Sequence, residues 1–168
     1  MDDTALTSLD RPGEIRLRLD PDAYSVRCAL AVADRWLQSF SMTPDLKSNV
    51  AIVLGEVLNN VVEHAFAMNK RAKVAEASHD AGDIWVDLNV SADTVHIFVK
   101  DSGGPMQQLS LPEGALPHIP DQLSDIPEGG FGWFLIRELA SDLRYTRQDG
   151  WNLLELTVRD PALAGRTH

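Results

Sequence analysis

Cysteine is nearly missing from this chain of 168 residues, which contains Cys28 and no other. A single cysteine excludes an internal disulfide, and this fits the reducing environment of the cytosol. Long apolar runs are missing as well, so no segment reaches the length of a membrane span. The first ten residues, MDDTALTSLD, are acidic and lack the basic-then-apolar order of a signal peptide. We therefore expect a cytoplasmic protein that does not bind membranes.

Basic residues are scarce: 15 Lys and Arg stand against 25 Asp and Glu, which gives a formal net charge of −10. Phosphates repel an acidic surface, so this balance argues against nucleic acid as a partner. It is compatible with a basic protein partner. No Lys or Arg lies between Lys47 and Lys70, or from Asp101 to Ile136, and both stretches contain candidate site residues.

The length predicts one domain with a substantial core. We place this domain at residues 13–159, between a loose tail at 1–12 and a frayed tail at 160–168. The predicted order is strand, helix, helix, two strands, long loop, helix, two strands. Paired hairpins with helices between them predict an α+β fold. We expect a two-layer sandwich, in which a mixed, mostly antiparallel sheet carries the helices on one face.

Local patterns define these elements. Alternating apolar residues predict a strand at 14–20 and two hairpins, 83–90 with 94–100 and 143–147 with 151–159. The pairs Asp20-Pro21 and Thr43-Pro44 predict the starts of the first two helices, and a third helix is predicted at 131–141. Residues 105–127 hold five of the nine prolines and show no periodicity, which is typical of a lid or mobile loop. Residues 68–82 fit either a helical extension or a surface loop.

The stretch Val50–Ala67 is apolar on nearly every side of a helix, which predicts a buried helix. Offsets of three, four and seven residues coincide on a helix, so four polar side chains share one narrow stripe: Glu56, Asn59, Asn60 and Glu63. Carboxylates and amides are not buried without partners. The stripe therefore either faces a ligand, such as a hydrated cation with an anionic group behind it, or forms a polar seam wetted at the surface.

Two further features are weak singly and stronger together. Asp101 ends a predicted strand, where its carboxylate can accept a hydrogen bond from an amino group, and Gly103 lets a flat ring approach the backbone. Glycines also precede the third helix, whose N-terminus offers free N–H groups and a positive dipole end to an anion; they are Gly129, Gly130 and Gly132. Each feature alone fits an ordinary turn. In this order, the three features describe a nucleotide pocket.

Three segments resemble the motifs of the GHKL (Bergerat-fold) ATP-binding superfamily. Glu56-Val-Leu-Asn-Asn60-Val-Val-Glu-His64-Ala resembles its N box, and Asp101-Ser-Gly103-Gly-Pro resembles its first glycine box. Glu128-Gly-Gly-Phe-Gly132-Trp-Phe-Leu-Ile-Arg137-Glu-Leu resembles the second glycine box. The form of these boxes is most similar to that of the stand-alone anti-sigma-factor serine/threonine kinases of bacteria. The resemblance covers roughly residues 13–159.

The resemblance implies the histidine-kinase-like ATPase fold, with ATP and Mg²⁺ as cofactors. Glu56 would be the general base that takes the proton of an acceptor hydroxyl. Asn60 would ligate Mg²⁺, with Asn59 beside it in the cofactor site. Asp101 would bind the adenine amino group, with Gly103 next to the ring. The phosphates would meet the second glycine box, at Gly129, Gly130, Phe131 and Gly132, and residues 105–128 would form the ATP lid. His64 would be a buried or supporting residue.

The resemblance also implies the partners. Such a kinase would sequester a sigma factor and would phosphorylate a STAS-type anti-anti-sigma protein, and relatives of this shape often form homodimers. The lid departs from the pattern because it has no basic residue to neutralise a triphosphate. This leaves open an alternative, a nucleotide-binding module that sequesters a partner and transfers nothing. A detached histidine-kinase domain and a gyrase-type ATPase fit less well, because no phospho-accepting helix and no transducer domain accompany the boxes.

Overall fold

The computed structural model describes residues 5–8, 12–66, 83–106, 109–114 and 131–162. The strands within these residues are β1 (Ala5–Ser8), β2 (Glu14–Leu19), β3 (Ile84–Ser91), β4 (Thr94–Asp101), β5 (Ala140–Gln148) and β6 (Trp151–Arg159). The α-helices are α1 (Ala23–Leu37), α2 (Pro44–Asn60) and α3 (Phe131–Leu139), and a π-helical turn, Val61–Ala65, continues α2. The described part of the chain contains no helix that is long and apolar enough to cross a membrane.

The strands form one sheet in the order β1-β2-β3-β4-β6-β5. In its central register Leu17 pairs with Val86, Val86 with Val99, and Val99 with Leu154. Every pairing among the described strands is antiparallel. The predicted α+β sandwich is confirmed, and its sheet is antiparallel throughout these strands rather than mixed.

One face of the sheet packs on the helices. Side chains alternate between the two faces of a strand, and most inner positions of β2, β3, β4 and β6 are buried and apolar: Ile15, Leu17, Leu19, Ile84, Val86, Leu88, Val95, Ile97, Val99, Leu154, Leu156 and Val158. The outer face carries polar pairs such as Arg16 with Asp87, whose Nε and Oδ1 lie 2.6 Å apart. The central helix α2 contacts both α1 and α3, so residues on it can reach the cavity between the helices and the sheet.

The two predicted helix starts had different outcomes. Thr43 caps α2 as predicted, because its hydroxyl accepts the Leu46 N–H at 3.2 Å and Pro44 occupies the first turn. The cap of α1 is Asp22 rather than the predicted Asp20. The carbonyl of Asp20 instead accepts the Asp22 N–H at 2.8 Å in a turn that precedes the helix. The helix begins two residues later because the Asp22 carboxylate accepts the first free N–H groups.

Two other predictions need correction. Residues 1–12 were expected to form a loose tail, but Ala5–Ser8 pair with β2, because that strand would otherwise expose an open edge. The third helix ends at Leu139, and β5 begins at Ala140, three residues earlier than expected. The alternatives for residues 68–82, and most of the predicted lid and of the C-terminal tail, lie outside the described residues. The predicted domain limits stay a prediction.

Candidate functional site

A cavity of about 560 Å³ opens between α2, the loop after β4, α3 and the end of the sheet. This volume is typical of sites for small molecules. It is lined by Val57, Asn60, Val61, His64, Ala65, Asp101, Gly104, Pro105, Met106, Pro112, Trp133, Tyr145, Asn152 and Leu154. We refer to Glu56, Asn60 and Gly132 as the helical end of the site, and to Asp101, Tyr145 and Asn152 as its strand end.

At the helical end, the first turn of α3 approaches the polar stripe of α2. A Cβ atom on Gly132 would lie 2.6 Å from Oε2 of Glu56 and 3.4 Å from Nδ2 of Asn60. A larger residue at this position would therefore displace the Glu56 carboxylate. The absence of a side chain on Gly132 lets the backbone at the start of a helix reach the carboxylate and amide side by side.

Asn60 lacks a hydrogen-bond partner at this end. Its Nδ2 atom is the one buried side-chain nitrogen or oxygen without a partner in the described ranges. Leaving such a donor unsatisfied costs roughly 1–3 kcal/mol. A buried polar atom of this kind needs an explanation, and a bound ligand is one. Asn60 also lines the cavity, so a ligand bound there that supplies an acceptor would satisfy this donor.

Asp101 dominates the strand end. It is 4% exposed, and its Oδ1 accepts the Gly103 N–H at 2.9 Å and Nδ2 of Asn152 at 2.8 Å. Burial raises the pKa of the Asp101 carboxyl above its usual value, although the hydrogen bonds from Asn152 and Gly103 and the charge of Arg147 act in the opposite direction. The structure thus holds a buried carboxyl group at the cavity wall, on the strand where the sequence predicted it.

The glycines after β4 fit against the π-helical turn. The Gly104 N–H donates to the Ala65 carbonyl at 2.7 Å, and a Cβ on Gly103 would lie 2.6 Å from Cβ of Ala65. Single π turns occur often at functional sites. This close contact gives Gly103 a packing reason that the sequence did not predict. The same turn carries His64, for which a buried or a supporting position was expected; it is exposed and lines the cavity.

The structure brings together only some of the predicted site residues. Asn60 and Asp101 line the cavity, and Glu56 and Gly132 meet beside Asn60. Asn59 is exposed and is not among the lining residues, and Phe131 begins α3 in a half-buried position. Gly129 and Gly130 lie outside the described residues.

Sequence reasoning missed Asn152 and its neighbours on β5. Asn152 is 3% exposed and lies on the same face of β6 as Leu154, Leu156 and Val158, all of them buried. A polar residue in the buried register of an otherwise apolar strand was a readable signal of a site. Tyr145 and Arg147 had no such signal, because β5 has an irregular burial pattern.

Two basic residues contact the loop after β4 and the described part of the predicted lid. Arg147 donates from Nη1 to the Gly103 carbonyl at 3.1 Å. Arg137 on α3 donates from Nε to the Pro112 carbonyl at 2.7 Å, which holds the described part of the predicted lid against the helix. Neither contact places a cation at the helical end.

The layered fold and the cavity between α2 and the sheet fit the GHKL class of ATP-binding domains. The sequence profile of the histidine kinase-like ATPase domain matches residues 17–158, and the chain belongs to this family.

Curated relatives and a solved structure agree with this assignment. The chain is 32% identical over 131 residues to the serine/threonine-protein kinase BtrW of Bordetella bronchiseptica, covering 76% of this chain and 77% of that protein. It is 28% identical over 140 residues to the serine-protein kinase RsbW of Oceanobacillus iheyensis, covering 82% and 80%.

The crystal structure of the RsbU and RsbW domains of Rv1364c from Mycobacterium tuberculosis matches with a TM-score of 0.56 and 19% identity. That match covers 89% of this chain and 32% of the other, so it supports the fold alone. The family match and the kinase relatives confirm the predicted resemblance to GHKL serine/threonine kinases, and this structure agrees in fold.

Proposed function

We propose that this protein is an ATP-dependent serine/threonine kinase and anti-sigma factor that acts in the cytoplasm. It would phosphorylate a STAS-type anti-anti-sigma protein and sequester a sigma factor. One observation carries the catalytic part: a carboxylate, Glu56, and an unsatisfied buried amide, Asn60, meet the start of a helix at Gly132. Helix starts bind anions, so a terminal phosphate held there would lie beside a base.

ATP fits the two ends of the site. At the strand end, Asp101 would accept a hydrogen bond from the adenine amino group. At the helical end, the free Nδ2 of Asn60 would donate to a phosphate oxygen, and N–H groups of the second glycine box, Gly129 to Gly132, would bind the same phosphates. The cavity of about 560 Å³ between these ends is within the usual range for small-molecule sites.

Mg²⁺ fits the helical end through its oxygen donors. The described residues contain no group of three or more His, Cys, Asp or Glu that could hold a metal on its own. Mg²⁺ is usually held by one or two protein oxygens together with substrate phosphates, and the amide oxygen of Asn60 would be such a ligand. The ion would neutralise phosphate charge, which matters more in a site whose lid segment has no Lys or Arg.

Glu56 would act on the acceptor hydroxyl of the partner protein. The hydroxyl proton moves to the Glu56 carboxylate as the hydroxyl oxygen bonds to the γ-phosphorus. The bond between that phosphorus and the bridging oxygen breaks, and the oxygen leaves with ADP. Such a transfer depends mainly on positioning and on charge stabilisation. Gly132 contributes to the positioning because it leaves room for the carboxylate beside the helix start.

Partner exchange would follow from the added phosphate. Phosphate on the anti-anti-sigma protein adds nearly two negative charges, and this chain already carries a formal charge of −10. Repulsion and the cost of desolvating the phosphate would weaken that complex, and the kinase would become available to the sigma factor. A homodimer is part of the same proposal, and the mass of the protein in solution tests it.

The test is a transfer assay with γ-labelled ATP, Mg²⁺, the purified protein and STAS-type proteins of the same cell. We expect label on one of them. Glu56→Gln should reduce transfer at least about 100-fold, which is the usual contribution of a general base, and should leave ATP affinity within about twofold. Glu63→Gln is the matched control, because Glu63 is the next carboxylate along the same helical segment and is exposed.

Two outcomes would contradict the kinase. Transfer that survives in Glu56→Gln would refute the base assignment. ATP binding without transfer to any STAS-type protein would favour the alternative, a nucleotide-binding module that sequesters its partner.

A further inference from the structure

Asn152 on β6 uses the whole hydrogen-bonding capacity of its side chain. Its Nδ2 donates to Oδ1 of Asp101 at 2.8 Å and to the Gly104 carbonyl at 2.9 Å. Its Oδ1 accepts the Tyr145 hydroxyl at 2.7 Å and Nη1 of Arg147. An amide has two N–H donors and two lone pairs, so all four are engaged.

These partners fix which way the amide of Asn152 points. Arg147 can only donate, so the oxygen of the amide must face it. The Tyr145 hydroxyl accepts the Met106 N–H at 3.1 Å, which directs its own proton to the same oxygen. Reversal of the amide would place N–H groups against two donors. The nitrogen of Asn152 is therefore held toward Asp101.

The carboxylate of Asp101 is oriented in turn. Both hydrogen bonds that it accepts in the described part of the chain, from the Gly103 N–H and from Asn152, go to Oδ1. Its second oxygen, Oδ2, is left for a donor on a ligand in the cavity. A rotation of the carboxylate would break the bond to Asn152.

The same side chains hold the loop that follows β4. Arg147 donates to the Gly103 carbonyl, Asn152 to the Gly104 carbonyl, and the Met106 N–H donates to Tyr145. Side chains of β5 and β6 thus form hydrogen bonds with the backbone of three of the four residues from 103 to 106. The adenine end of the site and the first residues of the predicted lid are therefore parts of one hydrogen-bonded unit.

We propose that Asn152, oriented by Tyr145 and Arg147, is a positioning residue that directs Oδ2 of Asp101 into the cavity and so makes the site select a purine with an amino group at position 6. This inference rests on the proposed ATP-dependent function. A fixed carboxylate accepts a bond from the 6-amino group of adenine and repels the 6-oxo group of hypoxanthine. A carboxylate free to rotate would relieve that repulsion and would lose its preference.

The experiment compares ATP with ITP, which carries the 6-oxo group, in equilibrium binding to the full chain. The wild-type protein should prefer ATP. Asn152→Ala should weaken ATP binding about tenfold, because a hydrogen bond to a charged group is lost from its fixed position, and should change ITP binding less than about twofold. In the transfer assay it should raise KM for ATP and leave kcat nearly unchanged.

Two further variants keep the test decisive. Tyr145→Phe retains the ring and removes the hydroxyl, so we expect it to fold and to lower the preference about threefold, since the neutral hydrogen bond that orients Asn152 is lost together with the one from the Met106 N–H. Thr157→Val is the matched control, because Thr157 is buried on the same strand and contacts His96 outside the cavity. It should keep the wild-type preference.

Each result has one meaning. An ATP preference that is absent from the wild type, or unchanged in Tyr145→Phe and in folded Asn152→Ala, would overturn the role of Asn152 and leave the kinase intact. A wild-type protein that binds neither nucleotide would overturn the proposed function and this inference with it.

Discussion

The strand end and the helical end of the site differ in how far their polar groups are satisfied without a ligand. At the strand end, Asp101 and Asn152 are 4% and 3% exposed, and the amide of Asn152 makes all the hydrogen bonds it can. At the helical end, Nδ2 of Asn60 is buried without a partner. The strand end is thus formed in advance, whereas the helical end keeps a donor that a ligand would satisfy. Preorganised groups give affinity and selectivity at little ordering cost.

This difference assigns separate tasks to the two ends. Substitutions at the strand end should act on the binding of the adenine base, and substitutions at the helical end should act on phosphate binding and on transfer. The predictions below test that division and run from the largest expected effect to the smallest.

Asp101→Asn should break the strand end with the largest effect on affinity. The variant keeps the shape and the accepting oxygen toward Asn152, but it puts an amino group where Oδ2 faces the cavity. The new amide N–H group would then face the amino group of adenine, and two donors would oppose each other. We expect ATP affinity to fall about 30- to 100-fold, because a hydrogen bond to a charged group is lost and an unpaired donor is left behind. Isothermal titration calorimetry measures it. ATP binding within threefold of wild type would contradict the proposal that Asp101 binds the adenine base.

Gly132→Ala should break the helical end and spare the strand end. The new Cβ would lie 2.6 Å from Oε2 of Glu56, and the carboxylate would have to swing away. We expect transfer to fall about tenfold or more, since misplacement of a reacting group by 1 Å is costly, and ATP affinity to change less than about threefold. Gly150→Ala is not a suitable control, because Gly150 has a φ of +84°.

The suitable control is Gly55→Ala, since a Cβ there would meet only Leu30 at 3.8 Å. It should leave both transfer and affinity near wild-type values. Equal losses of affinity and transfer in Gly132→Ala would mean that the two ends are not separable.

The pH dependence of stability should show the smallest effect. Because burial raises the pKa of Asp101 in the folded protein, the folded carboxyl keeps its proton to a higher pH than the unfolded one. The unfolded state therefore loses its proton first, and the wild type loses stability as the pH rises from the ordinary Asp value through the raised one. Asp101→Asn lacks this titration.

The difference in Tm between Asp101→Asn and the wild type should accordingly grow as the pH rises from the ordinary pKa of Asp to the raised pKa of Asp101. Above that pH the difference should stay constant. We expect this growth to be small, and thermal unfolding followed across the pH interval measures it. An advantage that shrinks as the pH rises would mean that the carboxyl group is stabilised in its charged form.

The sequence predicted well where the signal was local. Apolar alternation in β3, β4 and β6, and the cap of α2 at Thr43, depend on residues close together in the chain, and the structure has them as expected. The start of α1 failed because Asp20 and Asp22 both resemble caps, and only the path of the chain decides between them. The strand at 5–8 depends on a partner edge, which short-range patterns do not show.

The site followed the same rule. Glu56 and Asn60 were readable because one helix turn joins them, and Asp101 was readable because it ends a strand. Asn152 contacts Asp101, 51 residues away in the chain, and Tyr145 contacts Met106, 39 residues away. No spacing within a single motif encodes such contacts. The fit of Gly103 against Ala65 was hidden for the same reason.

The most direct test of the two-ended site is equilibrium binding of adenosine and of ATP with Mg²⁺ to Asn60→Ala, beside the wild type. Adenosine meets only the strand end, whereas ATP also uses the donor and the oxygen of Asn60. The account predicts about tenfold weaker ATP binding, the size of one charge-assisted bond, and unchanged adenosine binding. Equal losses for both ligands, or no loss for ATP, would contradict the assignment of the phosphates to the helical end.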